Sequence, residues 1–147
     1  MKHKSQEVLV ISERSIWILE DDSGCRFVYE QILGIRHKVR FFQTLVEFEF
    51  ALSEGQKSLP ELVLADVVLE DGSFLHFLNH SQKKELLSIP FIVVSSIDDI
   101  DALRFCFNEG AVDYLVKPFQ KSELIVKVER ILEKKTKRGW EFAARLF

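Results

Sequence analysis

Two kinds of hydrophobic pattern alternate along the 147-residue chain. Short runs rich in β-branched and aromatic residues predict strands. Between them, apolar residues recur at the three- and four-residue spacing of amphipathic helices. The predicted strands are SIWILE, RFF, ELVLA, FIVVS and DYLVK, and the predicted helices cover roughly residues 24–33, 44–53, 73–80, 98–109 and 121–135. Five strands alternating with five helices predict an open parallel α/β sheet covered on both faces, with right-handed crossovers.

Composition limits the classes of protein that fit this pattern. The chain has 47% hydrophobic and 29% charged residues and a net charge of −3, so we expect no direct nucleic-acid binding by it. No apolar stretch approaches the roughly 18 residues of a membrane span, and the first residues lack the apolar core of a signal peptide. We therefore expect no membrane association and a cytoplasmic location. Cys25 and Cys106 are expected to be free thiols.

The predicted elements define one domain over residues 15–135. Residues 1–14 form an N-terminal extension whose apolar VLVIS is either an extra strand or a flexible arm. Residues 136–147 form a C-terminal tail or the start of a linker. This last segment is too short for an effector domain, so the chain is either a stand-alone domain or one cut within a linker.

Polar side chains follow four of the predicted strands at the point where each strand ends. In open α/β sheets, ligands bind outside the carboxyl ends of the strands. Crowded carboxylates need a neutralising cation, and oxygen-only ligands suit Mg²⁺. A hydroxyl and an ammonium beside such a cluster are what a phosphoryl group on one of the acids would need. The residues concerned are Glu20, Asp21 and Asp22, then Asp66, then Ser95 and Ser96, and finally Lys117.

These positions resemble the receiver domain of two-component response regulators over about residues 15–135. The resemblance rests on WILEDD, LVLAD, IPFIVVSS and the run GAVDYLVKPF. The acid pair, the acceptor, the serine and the lysine stand in order, separated by 45, 29 and 22 positions, which is a specific signal. The resemblance implies a flavodoxin-like (βα)5 fold, with a doubly wound, five-stranded parallel sheet in the order 2-1-3-4-5.

The resemblance also implies roles for individual residues. Asp66 would be the phosphoacceptor, taking a phosphoryl group from a histidine kinase or a phosphotransfer protein. Mg²⁺, or Mn²⁺ in its place, would be held by Asp66, by Asp21 directly, by Glu20 through a water and by the backbone carbonyl of Val68. Asp22 is then expected to cap the first helix instead of binding metal.

The remaining roles concern the bound phosphoryl group and the output. Ser95 would hydrogen-bond one phosphoryl oxygen and Lys117 would pair with another, with a cis bond between Lys117 and Pro118. The signal would pass through Ser95 and Tyr114 to the face made by the fourth helix, the fifth strand and the fifth helix, which is also where a homodimer would form.

Helical spacing suggests which side chains of the fourth helix reach that face. At 100° per residue, Ile100, Leu103, Cys106 and Phe107 lie on one side and Phe105 lies nearly opposite. Phe105 is therefore expected to be an exposed contact of the output face, beside Tyr114. The alternative is a scattered surface aromatic with no such role.

Val68 and Ile97 stand two positions after the acceptor and two after the serine, where side chains flank the approach of a hydrolytic water in receivers. Both are apolar and β-branched, so neither orients a water, and we expect slow autodephosphorylation.

Two departures from the family pattern affect the loop after the acceptor. Glu70 replaces a common proline, and Phe74 replaces a common glycine.

Two other classes of function fit parts of this pattern. A small phosphatase with an aspartyl-phosphate intermediate would usually carry a second Asp two residues after its nucleophile, where this chain has Val68. An interaction module could bind metal in the acid pocket and accept no phosphate. We expect a receiver, whose only chemistry is self-catalysed phosphoryl transfer and hydrolysis and which is not an enzyme. Its four histidines, His3, His37, His76 and His80, are expected to be surface or packing residues.

Overall fold

The computed structural model describes residues 13–55, 58–80, 88–96 and 99–146, with side chains up to Glu133 in the last helix. The segment VLVIS, expected to be either an extra strand or a flexible arm, and the predicted role of Ile97 lie outside the described residues.

Five parallel strands form the central sheet: β1 Ser15–Leu19, β2 Lys38–Phe42, β3 Leu62–Ala65, β6 Phe91–Ser95 and β7 Asp113–Val116. Their order is β2-β1-β3-β6-β7, and every neighbouring pair is parallel. This is the order 2-1-3-4-5 that the family resemblance implied, and the prediction of a doubly wound α/β fold is confirmed. A small antiparallel hairpin of β4 Val68–Leu69 and β5 Gly72–Ser73 was not predicted.

The helices are α1 Ser23–Leu33, α2 Leu45–Leu52, α3 Phe74–His80, α4 Ile100–Asn108 and α5 Lys121–Leu146. Each predicted helix boundary lies within two residues of the observed one, except the end of α5. The backbone of α5 continues through most of the segment expected to be a tail. That segment contains no proline, and its single glycine is not enough to stop a helix whose other residues are mostly good helix formers.

Side-chain caps fix where the helices begin and end. Asp22 Oδ2 accepts a hydrogen bond from Cys25 N at 2.8 Å, so Asp22 caps α1 as expected. Thr44 and Glu47 form a reciprocal capping box at the start of α2. Gly110 follows α4 with φ of +108°, a conformation that favours glycine and that ends the helix.

Two buried clusters lie on opposite faces of the sheet. On one face, α2, α3 and α4 contribute Phe48, Phe74 and Cys106 to a core that includes Trp17 of β1. On the other face, Tyr29 of α1 and three residues of α5 join the remaining strand side chains. All residues of β3 and β6 are buried, which explains why these strands appear in the sequence as continuous apolar runs.

The orientation of α4 differs from the prediction. Cys106 is fully buried, Leu103 and Phe105 are half-buried, and Ile100 and Phe107 are 65% and 46% exposed. The expectation that Phe105 is the exposed aromatic of this helix is therefore wrong. Phe105 and Phe107 lie on either side of Cys106 around the helix, and the buried stripe is turned towards Phe105. Phe107 is the exposed aromatic.

Among the described residues, no helix combines the length and the apolar character that a bilayer crossing requires.

Candidate functional site

Residues from three strand ends meet at the carboxyl edge of the sheet. Ladder hydrogen bonds continue one residue beyond the strands and hold this edge in place: Glu20 N donates to Phe42 O at 2.9 Å, and Asp66 N donates to Leu19 O at 3.1 Å. Lys117 N donates to Ser95 O at 2.9 Å. Backbone pairing therefore holds the predicted site residues Glu20, Asp66 and Lys117 along one edge of the sheet.

The ammonium of Lys117 bridges two carboxylates. Its Nζ lies 2.5 Å from Glu20 Oε1 and 2.9 Å from Asp66 Oδ2. All three side chains are shielded, with 17% of Lys117, 1% of Glu20 and 14% of Asp66 exposed. A buried carboxylate needs a paired cation or a proton, so Lys117 is the counter-ion of both acids in this structure.

Burial and charge pairing act in opposite directions on these groups. Burial raises the pKa of the Glu20 carboxyl, and the hydrogen bond from Lys117 offsets only part of that rise. Burial also lowers the pKa of the Lys117 ammonium, but hydrogen bonds to Glu20 and Asp66 outweigh it and the pKa is raised. Lys117 is therefore held in its charged form, while Glu20 is the acid most dependent on a neighbouring cation.

The loop from β1 to α1 arranges the acid pair. Glu20 Oε2 accepts from Asp22 N at 3.2 Å, and the Glu20 carbonyl oxygen accepts from Arg26 Nη1 at 3.0 Å. The hydrogen bond from Cys25 lowers the pKa of Asp22, as expected for a helix cap. Asp21 lies between these anchored residues and is half-exposed at the mouth of the site.

The loop after Asp66 is tied to a neighbouring helix through the unpredicted hairpin. Val68 N donates to Asp66 Oδ1 at 3.4 Å, a long contact. In the hairpin turn, Asp71 accepts hydrogen bonds from Leu45 N at 2.8 Å and Val46 N at 3.1 Å, so it caps α2 from outside. The loop is therefore anchored even though Glu70 occupies the position of a common proline.

Phe74, the second departure from the family pattern, begins α3 and is fully buried. Its ring lies 5.7 Å from the ring of Phe91 and 6.4 Å from that of Phe48, both at steep angles typical of core aromatics. The large side chain thus joins the loop after the acceptor to the core, where glycine would leave the same position flexible.

The other predicted residues lie around this edge. Ser95 ends β6 with 1% of its surface exposed, whereas Ser96 is exposed. The Lys117–Pro118 peptide bond is cis, as the resemblance implied. Tyr114 is buried on β7 beside Val93 of β6, and Val68 is 62% exposed. The contacts of Arg26 and Asp71 were not predicted from the sequence. An arginine one turn into the helix that follows an acid pair is the sequence feature that indicates the Arg26 contact.

The comparisons with known proteins bear directly on this arrangement. The family model described as response regulator receiver domain matches residues 16–129. The chain belongs to this family. It is 30% identical over 118 residues to the DNA-binding transcriptional regulator NtrC of Escherichia coli (strain K12), covering 80% of this chain and 24% of that protein. It is also 30% identical over 123 residues to the two-component response regulator-like APRR3 of Arabidopsis thaliana, covering 82% of this chain and 25% of that protein.

This receiver domain thus spans about a quarter of the length of these curated relatives. Its fold is similar to the crystal structure of a response regulator receiver domain protein (CheY-like) from Methanospirillum hungatei JF-1. The TM-score is 0.75 at 24% identity, and the match covers 86% of this chain and 99% of that one. At 24% identity, the similarity to the Methanospirillum hungatei structure is evidence for the fold alone.

Three properties are typical of this family. Receiver domains typically use Mg²⁺, they imply a histidine-kinase partner, and they are generally not classed as enzymes. In the part of the chain that the structure describes, no three His, Cys, Asp or Glu side chains already surround a common point. The acidic side chains at the carboxyl edge nevertheless offer only oxygen atoms as metal ligands. Glu20 and Asp66 already contact one cationic nitrogen, that of Lys117. This donor chemistry fits Mg²⁺.

Proposed function

We propose that Asp66 accepts a phosphoryl group from the phosphohistidine of a histidine kinase or a phosphotransfer protein, in a Mg²⁺-dependent reaction. The observation that carries this proposal is the pairing of the Lys117 ammonium with both Asp66 and Glu20 at the carboxyl edge. This pairing places a fixed positive charge where the transferred group would bring negative charge.

In the proposed reaction, a carboxylate oxygen of Asp66 forms a bond to phosphorus while the bond from phosphorus to the histidine nitrogen breaks. The electron pair of that bond stays on the donor imidazole, which takes up a proton. The product is an acyl phosphate on Asp66. The residues of this chain contribute position and charge, which supply most of the catalysis in phosphoryl transfer.

We assign the metal to Asp21, Asp66 and the backbone carbonyl of Val68, with Glu20 acting through a bound water. The pairing of Glu20 with Lys117 and the half-exposed position of Asp21 support this division, because Asp21 is more open to solvent than Glu20. When bound, Mg²⁺, or Mn²⁺ in its place, would neutralise the carboxylates and the phosphoryl oxygens.

We further propose that Lys117 and Ser95 hold the phosphoryl oxygens and that Ser95 and Tyr114 transmit the change to the output face. Ser95 ends β6, and Tyr114 lies on the neighbouring β7, so a shift at the strand end can pass between adjacent strands. The output face comprises α4, β7 and α5, with Phe107 in place of Phe105 as its exposed aromatic, and a homodimer would use the same face.

Val68 and Ile97 are proposed to restrict hydrolysis of the phosphorylated Asp66.

The test is incubation with acetyl phosphate and Mg²⁺, followed by intact mass measurement. A stable adduct that is lost in Asp66→Asn and retained in Glu70→Gln supports the proposal, because Glu70 is an exposed carboxylate of the same loop. Continuous release of phosphate without an accumulating adduct would instead indicate a phosphatase. Absence of both adduct and release would indicate an interaction module and would contradict the proposal.

A further inference from the structure

The guanidinium of Arg26 is a further cation at the carboxyl edge, and the phosphoryl chemistry proposed above gives it no part. Arg26 lies one turn into α1, and its side chain is half-buried. Its Nη1 donates to the carbonyl oxygen of Glu20 at 3.0 Å, so the side chain reaches back to the residue that follows β1. This contact fixes the backbone beside the acids and leaves their carboxylates free for other partners.

Both peptide groups that flank Asp21 are held by hydrogen bonds. The oxygen of the peptide before it belongs to Glu20 and accepts from Arg26. The N–H of the peptide after it belongs to Asp22 and donates to Glu20 Oε2 at 3.2 Å. Arg26 N also donates to Asp22 O at 3.0 Å, which closes the loop onto α1. Because each peptide group is planar, fixing both of them determines where the half-exposed Asp21 carboxylate points.

The same guanidinium also contacts the residue that follows β2. With its amide oxygen turned towards Arg26, Gln43 accepts from Nη2 at 2.9 Å and from Nη1 at 3.2 Å. This orientation gives the amide oxygen a donor, which the opposite orientation does not. Arg26 therefore spans the ends of β1 and β2, two neighbouring strands of the sheet.

Gln43 extends this connection to the start of α2. Its backbone N donates to Oε1 of Glu47, the residue of the capping box, at 3.1 Å. Asp71, in the hairpin after the acceptor, accepts from the first two amides of the same helix. The acid loop at residues 20–22 and the hairpin that follows Asp66 are thus both attached to the start of α2.

We propose that Arg26 is a positioning residue for the metal, which holds the backbone around Asp21 so that its carboxylate meets Mg²⁺ at the acid edge. The inference rests on the function proposed above, in which Asp21 is a direct ligand. An arginine suits this task because its planar fork of donors bonds two acceptors at once, whereas a lysine offers a single nitrogen. Groups that orient metal ligands in this way commonly change metal affinity by about tenfold or more.

Charge and positioning predict opposite effects of removing Arg26. If the guanidinium acts only as a nearby positive charge, its loss relieves repulsion and strengthens Mg²⁺ binding. If it holds the acid loop, its loss frees Asp21, and Mg²⁺ binding must then order the loop and becomes weaker. The sign of the change in affinity therefore separates the two roles.

The test is calorimetric titration of the full chain and its variants with Mg²⁺, at a temperature where circular dichroism shows each protein to be folded. Arg26→Met should bind Mg²⁺ about tenfold more weakly than the native chain. Arg26→Lys keeps the charge and one donor nitrogen, so its affinity should lie between the two. Arg36→Met is the matched control, because Arg36 is an exposed arginine before β2, and it should leave the affinity unchanged.

Two further measurements distinguish positioning from a general loss of stability. The Mg²⁺ concentration that gives half the maximal rate of adduct formation from acetyl phosphate should rise about tenfold in Arg26→Met. The rate at saturating Mg²⁺ should stay within about twofold of native, because Arg26 contacts no reacting atom. Without metal, hydrogen exchange at Asp22 N should accelerate in Arg26→Met while the amides of β3 stay protected.

Gln43→Leu tests the same connection without removing a charge. Gln43 is exposed, so this variant should fold even if Arg26→Met does not, and it should weaken Mg²⁺ binding about threefold. Equal or tighter binding in folded Arg26→Met, or equal binding in Gln43→Leu where Arg26→Met does not fold, would overturn the inference while leaving the proposed function intact. Unchanged exchange at Asp22 N would overturn it as well. A native chain that binds no Mg²⁺ would overturn both this inference and the proposed function.

Discussion

Replacing Lys117 by methionine removes the ammonium that pairs with the Glu20 carboxylate while keeping a side chain of similar length. Glu20 has 1% of its surface exposed, so its carboxylate cannot recover the lost interaction by turning to water. Removing one partner of a buried ion pair is strongly destabilising because the other charge is left uncompensated. We therefore expect Lys117→Met to lower the free energy of unfolding substantially at neutral pH.

The size of the loss is limited by protonation of Glu20. An ordinary glutamate has a pKa of 4.5, so keeping it protonated at pH 7 costs about 3.4 kcal/mol at about 1.4 kcal/mol per unit of pH. The lost contact with Asp66, whose side chain is partly open to water, adds about 1 kcal/mol. The two terms together give at most about 4.4 kcal/mol, and we expect a loss of roughly 3 to 4 kcal/mol because burial already raises the pKa of Glu20 in the native protein.

The same reasoning gives the pH dependence. The folded-state pKa of Glu20 lies above its unfolded value, so the folded protein binds this proton more tightly, and stability falls as the pH rises above 4.5. Without Lys117 that pKa rises further, which extends the fall towards neutral pH. The part of the loss due to Glu20 should shrink to below about 1 kcal/mol at pH 5.

The assay is urea unfolding followed by far-ultraviolet circular dichroism, with a chelator present, at pH 7 and pH 5. At a typical slope of about 1.5 kcal/mol per molar urea, the midpoint at pH 7 should fall by about 2 to 3 M. Lys127→Met is the matched control, because it breaks the partly exposed pair of Lys127 with Asp113 at 2.8 Å and should cost at most about 1 kcal/mol at either pH. Adding Glu20→Gln to Lys117→Met should restore most of the stability.

The reasoning is refuted if Lys117→Met is as stable as Lys127→Met at pH 7. A loss that has the same size at pH 5 and pH 7 would also refute it, because the cost would then not come from an unpaired carboxylate.

Three further predictions concern the loops around the acid edge. Asp21→Ala should reduce the rise in melting temperature caused by Mg²⁺, because it removes a proposed direct ligand, and an unchanged Mg²⁺ titration would count against that role. Val68→Asn should shorten the half-life of the phosphorylated protein about tenfold, because an exposed asparagine can orient a water and lower the barrier to hydrolysis by about 1 to 2 kcal/mol. Mass measurement over time checks this half-life, and an equal half-life would exclude gating at Val68. Asp71→Ala should lower the free energy of unfolding by about 1 kcal/mol, measured by urea unfolding, because two amides of α2 lose their acceptor; no change would show that Thr44 caps α2 sufficiently alone.

The sequence predicted those features that depend on short stretches of chain. The continuous apolar runs of β3 and β6 indicated strands buried on both faces, and the structure buries every residue of both. Residues that follow parallel strands must meet at one edge, which is why Glu20, Asp66 and Lys117 could be grouped from their positions alone.

Features that depend on contacts between distant elements were missed or misjudged. The β4–β5 hairpin has only two residues in each strand, too few for a periodic pattern, and Asp71 finds its partners on a helix that precedes it by about 25 residues. The exposed side of α4 depends on how the helix rests on the sheet, and helical spacing alone does not fix that rotation. Arg26 follows the acid pair by one helical turn in the sequence, but only the structure shows that its guanidinium also reaches Gln43 beyond β2.

Lys117 also connects the stability of the domain with its proposed chemistry. Before phosphorylation, its single ammonium contacts two carboxylates, and the more deeply buried of these is Glu20. A phosphoryl group on Asp66 would bring further negative charge to the same ammonium. The single positive charge of Lys117 would then be too small to neutralise the negative charges at the edge. A cation held by Asp21 and the other acids would neutralise the remaining charge and leave Lys117 able to pair with the phosphoryl oxygens. This balance of charge explains why both a lysine and a metal are expected at one small site, and why the cost of losing Lys117 should be smaller with Mg²⁺ present than with a chelator.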